Sequence, residues 1–251
     1  MTSLPIVLEV LHHRSGVLAL AKPAGVPTQA APGIESVEGL VRRQLFGDAV
    51  AVDQAAGRRR HQGGFLGVPH RLDRPVSGVL LLATTPRAAR QLSRQFERRQ
   101  IQKVYLAVVQ PLATDLVADD EVFEWRDVIR KIPGEARAEI VTTELPGGRE
   151  AITHGRPLAA RGGRLLLELR PRTGRTHQLR LQSTARGLPI VGDQLYGDAD
   201  KAAGSAASPL ALHAQRIGFQ DPETGEPVSI CCPLPASPLW DDWRHACDAM
   251  K

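Results

Sequence analysis

Polar side chains crowd beside an apolar stretch in Pro69-His70-Arg71-Leu72-Asp73-Arg74-Pro75-Val76-Ser77-Gly78. Two flanking arginines hold an aspartate ionised. An ionised aspartate suits nucleophilic or electrostatic work better than general-acid work. Pro, Ser and Gly are also turn formers, so the same stretch reads as a turn with a structural ion pair. A second group, Arg170-Pro171-Arg172-Thr173-Gly174-Arg175-Thr176-His177-Gln178-Leu179-Arg180, sets several forked donors around a glycine turn. Phosphate or carboxylate would be held this way; the other reading is a basic, solvated turn. Tyr105 is one of two tyrosines, and Val104, Leu106, Val108 and Val109 put it on a strand near the core. A satisfied core tyrosine explains that spacing without any chemistry. Lys22 reads first as a structural lysine at a strand end, and second as a buried amine with a lowered pKa. His70, His177 and His213 have no short ligand spacing, which argues against a metal site. The sequence has no GxSxG elbow, Walker loop or GxGxxG, so nucleotide-dependent transfer and ordinary hydrolase chemistry lose support.

These groups need elements to position them. Residues 16–21 (GVLALA) and 78–85 (GVLLLATT) read as buried strands, the first ended by Lys22-Pro23-Ala24-Gly25. Residues 36–46 carry helical periodicity, with Ser36 as N-cap. Residues 86–100 read as a helix with Pro86 in its first turn. Ala89, Leu92 and Phe96 mark its apolar face, and Arg87, Arg90, Arg94 and Arg98 share another. Strands are expected at 102–109 and 164–170, a loop and helix at 174–186, and a hairpin at 216–232. Residues 47–67, with Arg58-Arg59-Arg60, read as an irregular loop; 111–150 read as an acidic insertion or peripheral hairpin; 198–209 read as a low-complexity loop. Strands outnumber helices and alternate with them irregularly, which favours α+β with a mixed sheet over a doubly wound parallel fold.

The chain has 251 residues, 42% hydrophobic and 24% charged, which suits one large domain or two small ones rather than a disordered chain. No apolar run approaches the ~20 residues of a membrane span. The first residues show no basic start, long apolar stretch or small-residue cleavage site, the marks of a signal peptide. Cys231, Cys232 and Cys247 form no disulfide framework and no CxxC pair, so a reducing, cytoplasmic setting is expected. The net charge is +5, with 32 basic residues against 27 acidic ones. Residues 86–103 hold six basic and one acidic side chain, and residues 156–186 hold eight and one. If the two blocks meet, they form a patch for a polyanion; otherwise they are two solvated faces.

Taken in order, the motifs resemble the RluA-type pseudouridine synthases. The matching stretches are Leu20-Ala21-Lys22-Pro23-Ala24-Gly25, His70-Arg71-Leu72-Asp73 with Ser77-Gly78, Gln95-Phe96-Glu97 through Lys103-Val104-Tyr105, and Thr173 to Arg180. Pro189-Ile190-Val191-Gly192-Asp193 with Tyr196-Gly197, and Leu212-His213-Ala214, complete the set. The resemblance runs from about residue 8 to 236. It implies an α+β fold with a mixed, mostly antiparallel sheet in two halves, flanked by helices and loops, with an RNA cleft between the halves. It implies isomerisation of uridine to pseudouridine in structured RNA, ribosomal or transfer, without cofactor or metal. Asp73 falls on the catalytic aspartate, Tyr105 on the active-site tyrosine, and Arg180 on the basic residue that pairs with the aspartate. Arg71 falls on the arginine that helps displace the target base, and Leu181 on the apolar position beside the catalytic arginine. Arg175 and His177, in the same motif, join the expected RNA contacts, as do Arg90, Arg94 and Arg98. Val76 stands where the family usually has Thr. Residues 1–251 read as one catalytic domain lacking the accessory N-terminal RNA-binding domain of many relatives. The basic helix and the arginines at 57–60 would then supply affinity. No heptad repeat is seen, which favours a monomer. Two rival readings are an RNA-binding protein of the same fold without catalysis, and a base-flipping glycosylase that would release free uracil.

Overall fold

A two-residue turn, Ser15-Gly16, joins β1 (Glu9–Arg14) to β2 (Val17–Lys22), with φ of 51° and 72°. Positive φ at both central positions matches the twist of an antiparallel hairpin. A β-carbon at Gly16 would also collide with the Thr85 hydroxyl. The structure is a computed structural model, and it describes residues 7–47, 50–53, 58–61, 64–113, 122–142, 146–197 and 209–248. The chain divides into two units: residues 1–101 with 218–232, and 102–217 with 233–251.

In the first unit β2 is followed by α1 (Val37–Phe46), whose N-cap Ser36 accepts a hydrogen bond from the Gly39 amide. Two four-residue strands, β3 (Val50–Asp53) and β4 (Arg58–His61), pair antiparallel. The irregular loop expected over 47–67 is therefore partly a two-stranded ribbon. Arginine and glycine content hid it, because neither residue type signals a strand. Then β5 (Ser77–Ala83) pairs antiparallel with β2 from Val17↔Ala83 to Lys22↔Gly78, and every residue of β5 is buried. The apolar runs at 16–21 and 78–85 belong to these two strands.

Helix α2 (Pro86–Glu97) begins at Thr85, whose side chain accepts from the Ala88 amide, with Pro86 in the first turn. Its buried residues are Ala88, Leu92 and Gln95. The apolar face is thus turned from the expected Ala89, Leu92 and Phe96. Polar Gln95 takes a buried place because its amide exchanges two hydrogen bonds of 2.8 Å with the Gln220 backbone. Phe96 instead stacks on His70, ring centroids 4.6 Å apart.

The second unit holds β6 (Gln102–Val109), β7 (Phe123–Lys131), β8 (Ala138–Val141), β9 (Arg149–Arg161) and β10 (Arg164–Pro171), in the order β6-β10-β9-β7-β8. These pairs are all antiparallel. Helix α3 (Gln178–Thr184) follows β10. Strand β11 (Leu212–Gln220) ends in the expected hairpin with β12 (Pro227–Cys231), and two short helices close the described chain. The α+β class with a mostly antiparallel sheet is as expected. Gly57 and all of 198–209 but its last residue lie outside the described residues.

Within the acidic stretch 111–150 the structure shows the expected peripheral hairpin rather than an insertion: β7 and β8 pair antiparallel at the end of the strand order. β7 is an inner strand, paired with β9 over seven positions and with β8 on its other side. Trp125 and Ile129 are buried, while Glu124 and Arg126, on either side of Trp125, are exposed. The charges belong to the outward face of a half-buried strand, whose period of two was masked by their number. Across the pair, Gly155 in β9 has no room for a side chain: a β-carbon would lie 2.5 Å from the Phe123 ring and 2.9 Å from Leu169. Gly155→Ala is expected to cost about 1–3 kcal/mol by overpacking, read as a lower urea midpoint. An unchanged midpoint would return this region to a loosely attached periphery.

Candidate active site

Asp73 stands in a turn closed by the Val76 amide, which donates to the Asp73 carbonyl at 3.0 Å. The turn leads into β5 and is pinned from two sides, by the last residue of β2 and by the segment after it. On one side the buried Thr28 hydroxyl donates to the Leu72 carbonyl at 2.9 Å and accepts from the Leu72 amide at 3.1 Å. On the other, Lys22 Nζ donates to the carbonyls of Pro23, Arg74 and Val76 at 2.9, 3.1 and 2.7 Å. Lys22 is 1% exposed. Burial lowers its pKa to about 7, against the opposing pull of the nearby Asp73 charge. Three carbonyl acceptors match the three N–H bonds of an ammonium, so the geometry is that of the charged form. The structural reading of Lys22 and its burial are therefore both correct. Gly78, opposite Lys22 in the sheet, has φ of 120°, which a residue with a β-carbon avoids.

The arginines around Asp73 divide their work. Arg74 Nε donates to the Gly25 carbonyl, and the Gly25 amide donates to the Arg74 carbonyl, both at 2.9 Å. Arg71 is exposed, and the Asp73 side chain is half-buried. His70 Nε2 accepts from the Leu81 amide at 2.9 Å, which fixes a neutral imidazole protonated on Nδ1. On α2, Arg87, Arg90, Arg94 and Arg98 are all exposed, as their spacing requires.

In the second unit Tyr105 is half-buried on β6, opposite Leu169 of β10. Lys103, two residues earlier on the same face, donates to the Thr173 carbonyl at 2.9 Å. Burial first, and then the Arg175 charge, lower its pKa to about 8. Arg175 Nε donates to the Glu150 carbonyl at 2.8 Å, while its own amide donates to Gln178 Oε1 at 3.0 Å. Gln178 also accepts from the Thr173 hydroxyl and donates to the Ile152 carbonyl and Thr153 hydroxyl. These bonds tie the arginine-rich loop to β9 and to the start of α3.

Arg180, on α3, is buried. Its Nε and NH2 donate to the two carboxylate oxygens of Asp193 at 2.7 and 2.6 Å. Asp193 Oδ1 also accepts from the Leu195 and Tyr196 amides. Burial pushes the Asp193 carboxyl upward; the Arg180 hydrogen bonds and charge, with the two amides, outweigh it and leave the pKa below the usual value. His177, at the N-cap of α3, adopts a left-handed φ of 52°, and its Nδ1 lies 2.7 Å from the Tyr196 hydroxyl. Leu181 packs with Ile129, Ala138 and Ala151 in a hydrophobic cluster. His213 packs edge-on against Trp240.

Of the residues expected from sequence, Asp73, Arg71 and the α2 arginines lie in the first unit, and Tyr105, Arg175, His177, Arg180 and Leu181 lie in the second. A carboxylate turn, a strand tyrosine and a buried arginine are groups for handling charge rather than for holding a large apolar ligand. The model of the RNA pseudouridylate synthase family matches residues 16–185. The chain belongs to that family. It is an RluA-type pseudouridine synthase, an isomerase acting on RNA. It is 35% identical over 244 residues to ribosomal large subunit pseudouridine synthase D of Xanthomonas campestris pv. campestris, covering 92% of this chain and 67% of that protein. It is 34% identical over 239 residues to tRNA pseudouridine synthase C of Salmonella typhi, covering 89% and 84%. The solved structure of human RNA pseudouridylate synthase domain containing 1 shares the fold, with a TM-score of 0.70 over 95% of this chain and 88% of that one, at 23% identity.

Sequence reasoning gave no role to Thr28 or Asp193, which hold the Asp73 turn and Arg180 in place. Thr28 had no signal at all. Asp193 lay within a quoted motif, but a partner thirteen residues from Arg180 has no mark in local spacing. Asp193→Asn is expected to lower stability by about 3 kcal/mol at pH 7, because it weakens a buried ion pair from one side. The folded carboxyl has the lower pKa, so its stabilisation is complete above the unfolded value near 3.8 and is lost as pH falls through the folded one. Urea denaturation at pH 7 and at pH 3 should show the variant's deficit shrinking in acid; an equal deficit at both would remove the ionic contribution.

Proposed function

We propose that this synthase isomerises a uridine of ribosomal or transfer RNA through Asp73, acting as a monomer in the cytoplasm. The observation that carries the role of Asp73 is its place in a turn held by Lys22 and Thr28, within a family that performs this isomerisation. Ribosomal and transfer RNA both follow from the names of the relatives. The reaction breaks the bond from ribose C1′ to uracil N1 and forms one from C1′ to C5. C5 gives up a proton and N1 gains one, so atoms and electrons balance within the nucleoside.

The base cannot react while stacked, so it is flipped out, at a cost of a few kcal/mol. Arg71, exposed beside the aspartate, props the vacated space. Asp73 attacks C1′ or otherwise drives departure of uracil, and Arg180 is the basic group of the same reaction. Tyr105 supplies a ring against the base and a phenol for proton transfer. Arg175 and His177 also meet the RNA, and Leu181 is the apolar neighbour of Arg180. Detached uracil must be kept from water until C5 faces C1′. Arg90, Arg94 and Arg98 meet phosphates, an arrangement that adds affinity without reading sequence.

Pseudouridine mapped at single-nucleotide resolution in total RNA tests this, using the source strain, a deletion strain, and the deletion carrying wild-type protein or Asp73→Asn. A site lost on deletion, restored by wild type and not by the variant, is expected. Full restoration by Asp73→Asn would overturn the role of Asp73. No changed site would favour the RNA-binding reading, and free uracil released from synthetic RNA would favour a glycosylase. Reversal of Arg90, Arg94 and Arg98 to Glu should weaken RNA binding and flatten its log–log salt slope by about 0.7–0.9 for each phosphate no longer neutralised. A slope equal to wild type would place this helix face away from RNA.

A further inference from the structure

Arg180 is held edge-on by Asp193, through two hydrogen bonds lying in the guanidinium plane. A two-point contact of this kind fixes direction within the plane, but not the tilt of the plane about the axis joining the two groups. The Arg180 guanidinium carbon lies over the Tyr196 ring, 5.1 Å from the ring centroid. The same ring has Arg137 at 5.8 Å and packs against the cluster of Ile129, Ala138, Ala151 and Leu181. The Tyr196 hydroxyl accepts from the Ala138 amide of β8 at 2.9 Å and meets His177 Nδ1 at 2.7 Å. The Tyr196 amide is one of the two donors to Asp193.

We propose that Tyr196 is the positioning residue for Arg180: its ring sets the tilt of the guanidinium that Asp193 aims, and its hydroxyl anchors His177 at the entrance to α3. The proposal rests on the reading of Arg180 as a site residue. Cation and ring attract through the negative face of the aromatic system, an interaction that strengthens as water is removed. The anchor at His177 has its own purpose. That residue enters α3 in a left-handed conformation, which a β-carbon disfavours. A side-chain bond to a fixed hydroxyl keeps the conformation, and with it the placement of Arg180 three residues on. Burial raises the Tyr196 pKa, against the opposing Ala138 amide and the charges of Arg180 and Arg137. The group therefore stays a phenol at neutral pH, able to accept from Ala138 while bonded to His177.

The test separates ring from hydroxyl in the full-length chain with Tyr196→Phe and Tyr196→Leu. The first readout is the Arg180 Nε–H signal in nitrogen-resolved NMR, assigned by its absence in Arg180→Lys; it needs no activity. The second is the single-turnover rate on a synthetic RNA carrying the mapped uridine, set against the dissociation constant for that RNA. In Tyr196→Leu the Nε–H signal should exchange faster with water, and the rate should fall about 10- to 100-fold with RNA affinity within about twofold, as expected for a misplaced group. Tyr196→Phe should keep the signal and lose about threefold to tenfold in rate. A merely structural tyrosine would lower melting temperature and RNA affinity together and leave the rate of the bound complex unchanged; that pattern overturns the proposal. So does a wild-type Nε–H signal in folded Tyr196→Leu. Should that variant not fold, a wild-type rate in Tyr196→Phe overturns it. A wild-type protein that forms no pseudouridine would sink the proposed function, and the NMR readout would still decide on Tyr196.

Discussion

A guanidinium taken out of water must be met by a charge of matching shape, and the second unit is organised around that requirement. Helix α3 has seven residues, fewer than a helix needs to hold itself together in water. Its buried polar side chains tie it to its surroundings. Gln178 bonds to β9 and the arginine-rich loop, Arg180 to Asp193, and Gln182 to Thr153 and Asp127. Each bond is needed because each group is buried, and together they leave the helix few alternative positions.

The first unit solves a similar problem with the opposite partner. There the element to be held is a turn, and the buried charge is a lysine at the end of an otherwise apolar strand. Lys22 draws three backbone carbonyls toward one point, and Thr28 closes the other side. A turn held on both sides, by Lys22 at the end of β2 and by Thr28, keeps a carboxylate in place, as a site carried on a loop requires.

Much of this scaffold was legible. The buried strands β2 and β5 are runs of Val, Leu and Ala, and Ser36 and Thr85-Pro86 begin their helices by ordinary local rules. Family resemblance proposes roles for Asp73, Tyr105 and Arg180, which local spacing alone reads as a turn, a core residue and a basic loop. Features that depend on distant partners stayed hidden. Gln95 looks like a surface residue until the Gln220 backbone lies beside it. Asp193 looks like a turn residue until Arg180 meets it. The stretch holding β7 reads equally as an insertion or a peripheral hairpin, because its outward charges outnumber the two side chains, Trp125 and Ile129, that commit the strand to the core.

The clasp on the Asp73 turn is made from main-chain oxygens alone at its far end. Any amino acid supplies a carbonyl, so the identity of residues 74 and 76 is decoupled from the hold that Lys22 has on them. Val76, where the family usually carries Thr, gives up a hydroxyl yet still presents the shortest of the three acceptors. Drift in the side chains of the turn is therefore tolerated by the clasp, while position 22 is not interchangeable. The shape of the loop is thus set by the side chains of Lys22 and Thr28, outside the turn, while the turn's own side chains are left for chemistry.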